Sequence, residues 1–336
     1  MRRRQPHHLS SKHMNRRSFV AVLVVVAFGT HFSASAQQYP NRPIRLVVPF
    51  AAGGSADLIA RAVNQQLSTA LGQPIVIDNR PGAGGALGAN LVAQAEPDGY
   101  TLLLSATGPN AIAPSLQKSL PYDPIKSFAP ISRISIQPAI IVVNSKVEAN
   151  TLREFVDLAK ASPGKLNFAS PGIGTSSHLG GELFKMQANV QMEHVPYKDG
   201  PLALADLLNG RIDVMFDNLG QFLPNLKTGK LRALAVASAQ RASSLPDLPT
   251  SGEAGLPGYD YSIWFGLSAP AKTSAQILAL LNTRLAEALR TPAVVERMTA
   301  LNAEVSGTTP AEFERFISAE NEKWRKVIGA AGISPR

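Results

Sequence analysis

The sequence predicts an α/β fold of two lobes with a ligand cleft between them. Strand-like apolar runs alternate with helical patterns along the chain, which predicts parallel strands covered by helices. We expect two apolar strands, near 136–143 and 261–267, to cross from one lobe to the other. We therefore assign residues 37–138 and 262–336 to one lobe and residues 139–261 to the other.

The first half begins with a β-α-β-α-β order. Gly72 follows the first helical pattern and is expected to end that helix, because glycine tolerates the left-handed conformation common at helix C-termini. The order predicts three parallel strands with helices on both faces of the sheet. The strands are predicted at 44–49, 75–77 and 101–104, and the helices at 56–71 and 85–95.

A second series of strands and helices follows, and three helices end the chain. Thr151 and Glu154 have the spacing of a capping box, and Thr309 and Glu312 repeat it at the last helix. We expect the C-terminal helices to pack on the first lobe. The strands are predicted at 139–143, 166–169, 193–195, 212–216, 231–237 and 262–267, and the helices at 151–161, 176–188, 202–209, 275–290, 292–301 and 310–331.

Residues 1–36 have the pattern of an export signal, and we expect a periplasmic protein that is cleaved near Ala36. Basic residues precede an apolar run, 19–29, which is shorter than the roughly 20 residues that a bilayer requires. A membrane anchor is the alternative. The pair Arg16-Arg17 fits a twin-arginine signal, but general secretory signals carry such pairs too, and Met14 is a second candidate start.

Charge and residue counts disfavour several function classes. The signal contains six basic residues and no acidic ones, so without it the formal net charge falls from +9 to +3, which removes the case for nucleic-acid binding. Cysteine is absent, and of the six histidines only His178 and His194 lie beyond residue 36. We therefore expect no catalytic residues, no metal and no cofactor.

A Gly-rich loop, residues 49–57, lies between the first strand and the first helix, where α/β sheets bind ligands. Gly53 and Gly54 allow backbone N–H groups to point outward, and the N-terminal end of the helix favours an anion. The loop lacks the Gly-Lys-Ser/Thr of a phosphate loop. The alternative is a tight turn in which Ser55 caps the helix, and we interpret Asp57 as a complement to the helix dipole.

A second Gly-rich loop, residues 169–178, also joins a strand to a helix. Thr175 or Ser176 can cap that helix, and both hydroxyls can donate to a ligand. If the lobes face each other, the two helix N-termini converge on one carboxylate. A hydrolase or isomerase that uses Ser176 or Ser177 with a histidine and Asp217 is the alternative, although neither serine has the flanking glycines of a nucleophile elbow.

Polar residues at other strand ends can contact the far end of a ligand. Thr107 and Asn110 follow the third strand, Lys198 follows a short one, and Asp217 follows a later one, where capping of a turn is an equal alternative for Asp217. Residues 82–88 fail the spacing of a dinucleotide loop, and we expect a turn that can line the cleft. Three aromatic residues can wall the cleft or lie in the core, namely Phe50, Tyr197 and Trp264.

These segments resemble the tripartite tricarboxylate transporter substrate-binding proteins, also called Bug receptors. The match runs from Tyr39 to the C-terminus and contains many motifs in one order. The motifs are YP and RPI (within 39–44), PF, GG and D (within 49–57), NRPGAGG (79–85), PDGYTL (97–102), LPYDP (120–124), SPGIG (170–174), VPYK (195–198), FD (216–217), GKLRALAV (229–236) and LPDLPT (245–250). The chain departs from the family at 85–88, Gly-Ala-Leu-Gly, where the family often has Gly-Asn-Ile-Gly.

The resemblance implies a type II-like Venus-flytrap fold, a two-lobed periplasmic binding protein with two crossover strands that closes on its ligand. It implies capture of a small carboxylate (a dicarboxylate, tricarboxylate, amino acid or aromatic acid) for the membrane subunits of a tripartite transporter, with a membrane sensor as the alternative partner. We expect a monomer without a nucleic-acid partner. The expected ligand-binding residues are Phe50, Ala52, Gly53, Gly54, Ser55, Thr107, Asn110, Gly174, Thr175, Ser176 and Asp217.

Overall fold

In a computed structural model, the described residues (1, 39–242, 244–330 and 332–333) form ten strands and ten α-helices. The strands are β1 (Ile44–Val48), β2 (Ile75–Asn79), β3 (Thr101–Ala106), β4 (Phe128–Asn144), β5 (Asn167–Ser170), β6 (Glu193–Pro196), β7 (Val214–Asn218), β8 (Leu231–Ala237), β9 (Ser262–Pro270) and β10 (Glu304–Val305). The helices are α1 (Ser55–Leu71), α2 (Ala86–Ala93), α3 (Ala113–Leu116), α4 (Leu152–Ala161), α5 (Ser176–Ala188), α6 (Gly200–Asn209), α7 (Leu223–Leu226), α8 (Ala275–Leu289), α9 (Pro292–Ala300) and α10 (Pro310–Ala330). The predicted export signal, apart from Met1, lies outside the described residues.

Strand β4 runs through both halves of the sheet and changes partners part-way along. Its residues 128–138 pair antiparallel with β9, whereas residues 139–144 pair antiparallel with β7 and β8. The chain returns from β8 through a loop in which Tyr261 N–H donates to Ala237 O at 3.1 Å, and β9 then runs beside β4. Both strands that the sequence predicts as crossovers therefore lie at the junction of the two halves.

Each side of this junction is one half of a mixed sheet. In the first half, β1 pairs in parallel with β2 and β3, and β9 lies antiparallel between β3 and β4. In the second half, β5 pairs in parallel with β6 and β7. Ile44, Val47 and Val48 of β1 are fully buried, as expected for a strand inside a parallel sheet. The predicted two-lobed α/β fold is confirmed, while the exact lobe boundaries stay a prediction.

The structure adds segments that the apolar pattern does not reveal. β4 begins at Phe128, whereas the sequence predicts a strand only from residue 139. The earlier part of the strand is not predicted because polar residues such as Arg133 interrupt its apolar pattern. A π-helix, Gly108–Ile112, leads into α3, and a 3₁₀ turn, Leu219–Gln221, precedes α7. The π-helix, α3 and α7 each have a proline at the start. Proline is tolerated there because a backbone N–H in the first turn has no acceptor within the helix. The other predicted strands and helices are present; those at 176–188 and 231–237 have the predicted bounds, and the others have ends shifted by a few residues.

Each half of the sheet has its own apolar core. Val47, Leu103 and Phe128 belong to a buried cluster in the first half, and Ile140 and Met215 belong to one in the second. These cores fix the strand ends from which the loops of the candidate site extend. Among the described residues, no helix is both long and apolar enough to cross a membrane.

The predicted capping box at the start of α10 is present. Thr309 Oγ1 accepts from Glu312 N–H at 3.3 Å, and Glu312 Oε2 accepts from Thr309 N–H at 2.8 Å. We expect Thr309→Ala to lower the free energy of unfolding by about 1 kcal/mol, because it removes the N-cap hydroxyl. Urea unfolding measures this loss, and Thr309→Ser, which keeps the hydroxyl, is the control. An equal loss in both variants would contradict the capping role.

Candidate functional site

A cavity of about 400 Å³, the central cavity, lies where loops from both halves of the sheet meet. Of the residues expected to bind ligand, seven line it: Phe50, Gly54, Ser55, Thr107, Thr175, Ser176 and Asp217. Four do not line it: Ala52, Gly53, Asn110 and Gly174. Both Gly-rich loops therefore reach the cavity, but only part of each loop does.

The first loop reaches the central cavity through the start of α1. Gly54 is the N-cap of this helix, so the alternative in which Ser55 caps it is wrong. Ser55 is instead the first helical residue, and its hydroxyl donates to Gln137 Oε1 at 3.3 Å. Ser55 and Ala56 lie in the first turn, where N–H groups have no acceptor within the helix. These N–H groups can bind an anion in the cavity.

Ala52 and Gly53 lie on the exposed side of the first loop. Gly53 N–H donates to Asp57 Oδ2 at 2.9 Å, and Asp57 also accepts from Arg61 Nε at 2.8 Å and Asn79 Nδ2 at 3.1 Å. Burial alone would raise the pKa of Asp57, but these hydrogen bonds and the charge of Arg61 hold it below its ordinary value. Asp57 thus fixes the loop by occupying an N–H group that the sequence suggested for the ligand.

The second loop reaches the same cavity through the start of α5. Thr175 is the N-cap; its Oγ1 accepts from His178 N–H at 3.3 Å and donates to Gly172 O at 2.8 Å. Ser176 and Ser177 follow in the first turn and line the cavity. Gly174 N–H instead donates to His178 Nδ1 at 3.3 Å, and Gly174 borders a neighbouring cavity.

Backbone from the two halves meets at glycines beside the central cavity. A Cβ built on Gly84 would lie 2.7 Å from Ile173 O and 3.2 Å from the carbonyl carbon of Gly174. A Cβ on Gly108 would lie 2.8 Å from Gly84 O and 3.2 Å from Gly174 O. This approach is closer than side-chain-bearing residues allow, so the turn at 82–85 both lines the cavity, as the sequence suggested it can, and contacts the second loop.

The polar residues at the strand ends have different roles. Thr107 lines the cavity, but its Oγ1 also accepts from Trp264 N–H at 3.2 Å. Asn110 is fully buried behind the wall, where its Oδ1 accepts from Ala106 N–H at 3.0 Å. The structure therefore does not bring Asn110 to the cavity.

Asp217 is a buried carboxylate in the cavity wall. It is 6% exposed, and its Oδ1 accepts from Asn218 N–H at 2.7 Å and Asn218 Nδ2 at 3.1 Å. Burial raises the pKa of Asp217. Ser177 Oγ and Gln221 Nε2 are buried beside the carboxylate, and neither makes a hydrogen bond of good geometry. Their interactions with the charged carboxylate lower the pKa of Asp217, but by less than burial raises it.

The rest of the cavity wall is largely apolar. Lys198 is the single cation among the described lining residues, and Asp199 and Asp217 are the acids. Tyr197 lines the cavity and its hydroxyl donates to Asp206 at 2.7 Å, whereas Trp264 lies in the core. Besides alanines, the apolar lining side chains are Phe50, Pro81, Pro171, Ile173, Pro196, Pro201, Ile263 and Phe265.

Sequence reasoning missed several lining residues. The sequence suggests Ser177 only as a candidate nucleophile, although N–H groups in the first turn of a capped helix can face a ligand. Gln221 is the last residue of the 3₁₀ turn capped by Asn218. Phe265 lies on β9 two residues after Ile263, so the alternation of side chains along a strand places both on the same face. No local pattern separates Gln221 from an ordinary surface residue, because only the tertiary fold places it in the wall.

The residues considered for a catalytic triad are not assembled. His178 and His194 line the neighbouring cavity, with ring centroids 4.1 Å apart, whereas Ser176, Ser177 and Asp217 line the central one. His194 Nε2 lies 2.7 Å from Ser170 Oγ, and Ser170 is fully buried. In the described part of the chain, no group of three or more His, Asp or Glu residues is placed to hold a metal ion.

The known proteins that this chain is similar to are receptors and periplasmic binding proteins. A family model described as the tripartite tricarboxylate transporter family receptor matches residues 59–333. Protein BugT of Bordetella pertussis is 37% identical over 322 residues, which cover 95% of this chain and 99% of BugT. The solved structure of the periplasmic binding protein BugD is 36% identical, with a TM-score of 0.85, and the match covers 89% of this chain and 100% of BugD.

Two further solved structures contain ligands. Rpa4515 of R. palustris with adipate is 36% identical with a TM-score of 0.85, covering 89% of this chain and 100% of Rpa4515. MatC of Rhodopseudomonas palustris with bound malate is 35% identical with a TM-score of 0.83, covering 86% of this chain and 100% of MatC. Both ligands are small dicarboxylates.

Proposed function

The chain belongs to the tripartite tricarboxylate transporter receptor family, and from this premise we propose that it binds a small carboxylate in the central cavity and presents it to a membrane transporter. The observation that carries the proposal is that α1 and α5 both begin at this cavity. Helix N-termini offer free N–H groups and a partial positive charge, which suit a carboxylate. Adipate in Rpa4515 and malate in MatC support the same ligand chemistry.

Binding would depend on oriented N–H groups rather than on an ion pair with arginine. No arginine lines the central cavity among the described residues, and the single lining lysine, Lys198, is exposed. The ligand would leave unchanged, because the serines and Asp217 in the cavity are separated from the histidines in the next one. This arrangement supports a receptor over an enzyme.

Release of the ligand would require the two lobes to separate. We assign residues 37–138 and 262–336 to one lobe and 139–261 to the other, with the hinge where β4 changes partners and where β9 begins. Opening would part the glycine contact between residue 84 and the second loop. The closed monomer would then be the form that docks on the membrane subunits of the transporter.

A thermal-shift screen of the exported protein against small carboxylates tests the function. A ligand present at a hundredfold excess over its Kd is expected to stabilise the folded state by about 2.7 kcal/mol, which is a shift of a few degrees. The ligand should be recovered chemically unchanged. Conversion of the ligand would contradict the receptor role, and N-terminal sequencing of the same sample checks the expected cleavage near Ala36.

A further inference from the structure

Two histidines lie ring against ring behind the second Gly-rich loop, in the neighbouring cavity. The ring centroids of His178 on α5 and His194 on β6 are 4.1 Å apart, with 30° between the ring planes. His178 is 7% exposed, and His194 is half-buried. The cavity has a volume of about 500 Å³ and is lined from both halves of the sheet, by Leu116 in the first half and Met192 in the second, for example.

His178 holds the second loop by accepting a hydrogen bond from its backbone. Gly174 N–H donates to His178 Nδ1 at 3.3 Å. A ring nitrogen accepts only when it has no proton, and in the charged imidazolium both ring nitrogens are donors. A proton on His178 therefore breaks this hydrogen bond and leaves Gly174 N–H without its acceptor.

His194 holds the same loop in a way that tolerates a proton. Its Nε2 lies 2.7 Å from Ser170 Oγ, which accepts from Gly172 N–H at 3.2 Å and donates to Gly172 O at 3.0 Å. While the single hydroxyl proton is donated to Gly172 O, His194 must be the donor to Ser170, and both the neutral ring and the imidazolium can donate. Of the two histidine contacts with the loop, that of His178 is thus the one that protonation removes.

The charged groups around the histidine pair have opposing effects. Glu182, Lys185 and Glu193 line the same cavity, and Glu182 pairs with Lys185 at 2.9 Å. Glu193, an exposed acid on the strand of His194, favours a positive charge on the pair, whereas a charge on His194 opposes one on His178. Histidine side chains commonly change charge between about pH 5 and pH 8, so acidification acts on this pair first.

The hydrogen bond of Gly174 belongs to the segment that shapes the central cavity. Thr175 Oγ1 donates to Gly172 O at 2.8 Å and caps α5, and Ser176 follows in the cavity wall. Gly174 also lies against the first half of the sheet, since a Cβ built on Gly108 would lie 3.2 Å from Gly174 O. A shift of Gly174 would therefore move both the N-terminus of α5 and the contact between the halves.

We propose, resting on the proposed function, that His178 is a positioning residue: its neutral imidazole holds the second loop in the shape that binds ligand, and its protonation releases the loop. The neighbouring cavity is then a proton-binding site coupled to the central cavity through Gly174. Acidification weakens capture of the carboxylate by loosening the N-terminus of α5, without any change in the residues that line the central cavity.

NMR tests the proposal on the exported protein, because His178 and His194 are the two histidines beyond residue 36. Amide exchange at Gly174, relative to the intrinsic rate at each pH, should become about tenfold faster from about pH 7.5 to pH 5.5. Its midpoint should match the titration of the His178 ring, which the variant His194→Gln assigns. A ring that titrates while Gly174 exchange stays constant, or one that does not titrate in this range, contradicts the proposal.

The variants His178→Asn and His178→Ala separate the hydrogen bond from ring packing. Both remove the ring contact with His194, but Asn Oδ1 takes the place of Nδ1 as an acceptor that gains no proton in this range. Gly174 exchange should be slow at both pH values in His178→Asn and fast at both in His178→Ala. A rise in His178→Asn equal to that of the unaltered protein would overturn the assignment. If a variant does not fold, the titration of the unaltered protein decides.

Calorimetric titration with malate and adipate, the ligands of MatC and Rpa4515, connects the loop to binding. Between the same pH values, the affinity of the unaltered protein should fall about fivefold more than that of His178→Asn, which experiences the same protonation of the ligand itself. An equal fall in both proteins would show that His178 does not govern capture. If neither acid binds at the higher pH, the proposed function loses support, and Gly174 exchange still decides the role of His178.

Discussion

A methyl group added at position 84 should weaken ligand binding by about 5- to 150-fold in the variant Gly84→Ala. The Cβ would lie 2.7 Å from Ile173 O and 3.2 Å from the Gly174 carbonyl carbon, which are backbone atoms of the opposite half. Backbone cannot move aside as the end of a flexible side chain can. Overpacking of this kind costs about 1–3 kcal/mol, which gives the range of affinity stated above.

The loss should appear in binding more than in folding. If the lobes open around the junction in β4, the open form relieves the clash, and only the closed form that holds the ligand bears its cost. Gly84 also has a positive φ of 64°, so alanine there is strained in both forms. That strain lowers stability without changing the balance between open and closed forms.

Gly229→Ala separates strain from closure. Gly229 has a similar φ of 71°, and nothing lies within 4 Å of a Cβ built on it. Both variants should therefore lose comparable stability in urea unfolding, and only Gly84→Ala should lose affinity in titration. Equal affinities for the two variants would show that the glycine contact has no part in ligand capture.

The glycine contact also marks the limit of prediction from sequence. The order of strands and helices in residues 44–104 follows from local periodicity, because buried parallel strands read as short apolar runs between amphipathic helices. The start of α1 and the capped start of α5 follow from glycines and hydroxyls at strand ends. Such signals are local, and both helix starts lie at the central cavity.

What local patterns do not contain is the direction in which each group points. Gly53 and Gly174 look like free N–H donors in the sequence, but Asp57 and His178 accept their hydrogen bonds in the fold. Asn110 follows the correct strand, yet the π-helix turns it into the interior. These outcomes depend on hydrogen-bond partners that only the local three-dimensional arrangement supplies.

The largest loss of stability should come from Glu320, which joins α10 to β9. Its Oε2 accepts from Trp264 Nε1 at 3.0 Å and from Trp324 Nε1 at 3.2 Å, and both indoles are fully buried. In Glu320→Ala both indole N–H groups lose their acceptor, at about 1–3 kcal/mol for each buried unpaired group. We expect a loss of about 2–6 kcal/mol from the two unpaired groups, and the cavity left by the deleted side chain adds to it.

Urea unfolding followed by tryptophan fluorescence suits this test, because the two tryptophans of the chain are the two that contact Glu320. Glu320→Gln keeps an acceptor oxygen and should lose less than Glu320→Ala. Glu322→Ala removes an exposed acid of the same helix, paired with Arg325, and is the control for helix propensity and surface charge. If Glu320→Ala were no less stable than Glu322→Ala, the two indole hydrogen bonds would not hold α10 against the sheet.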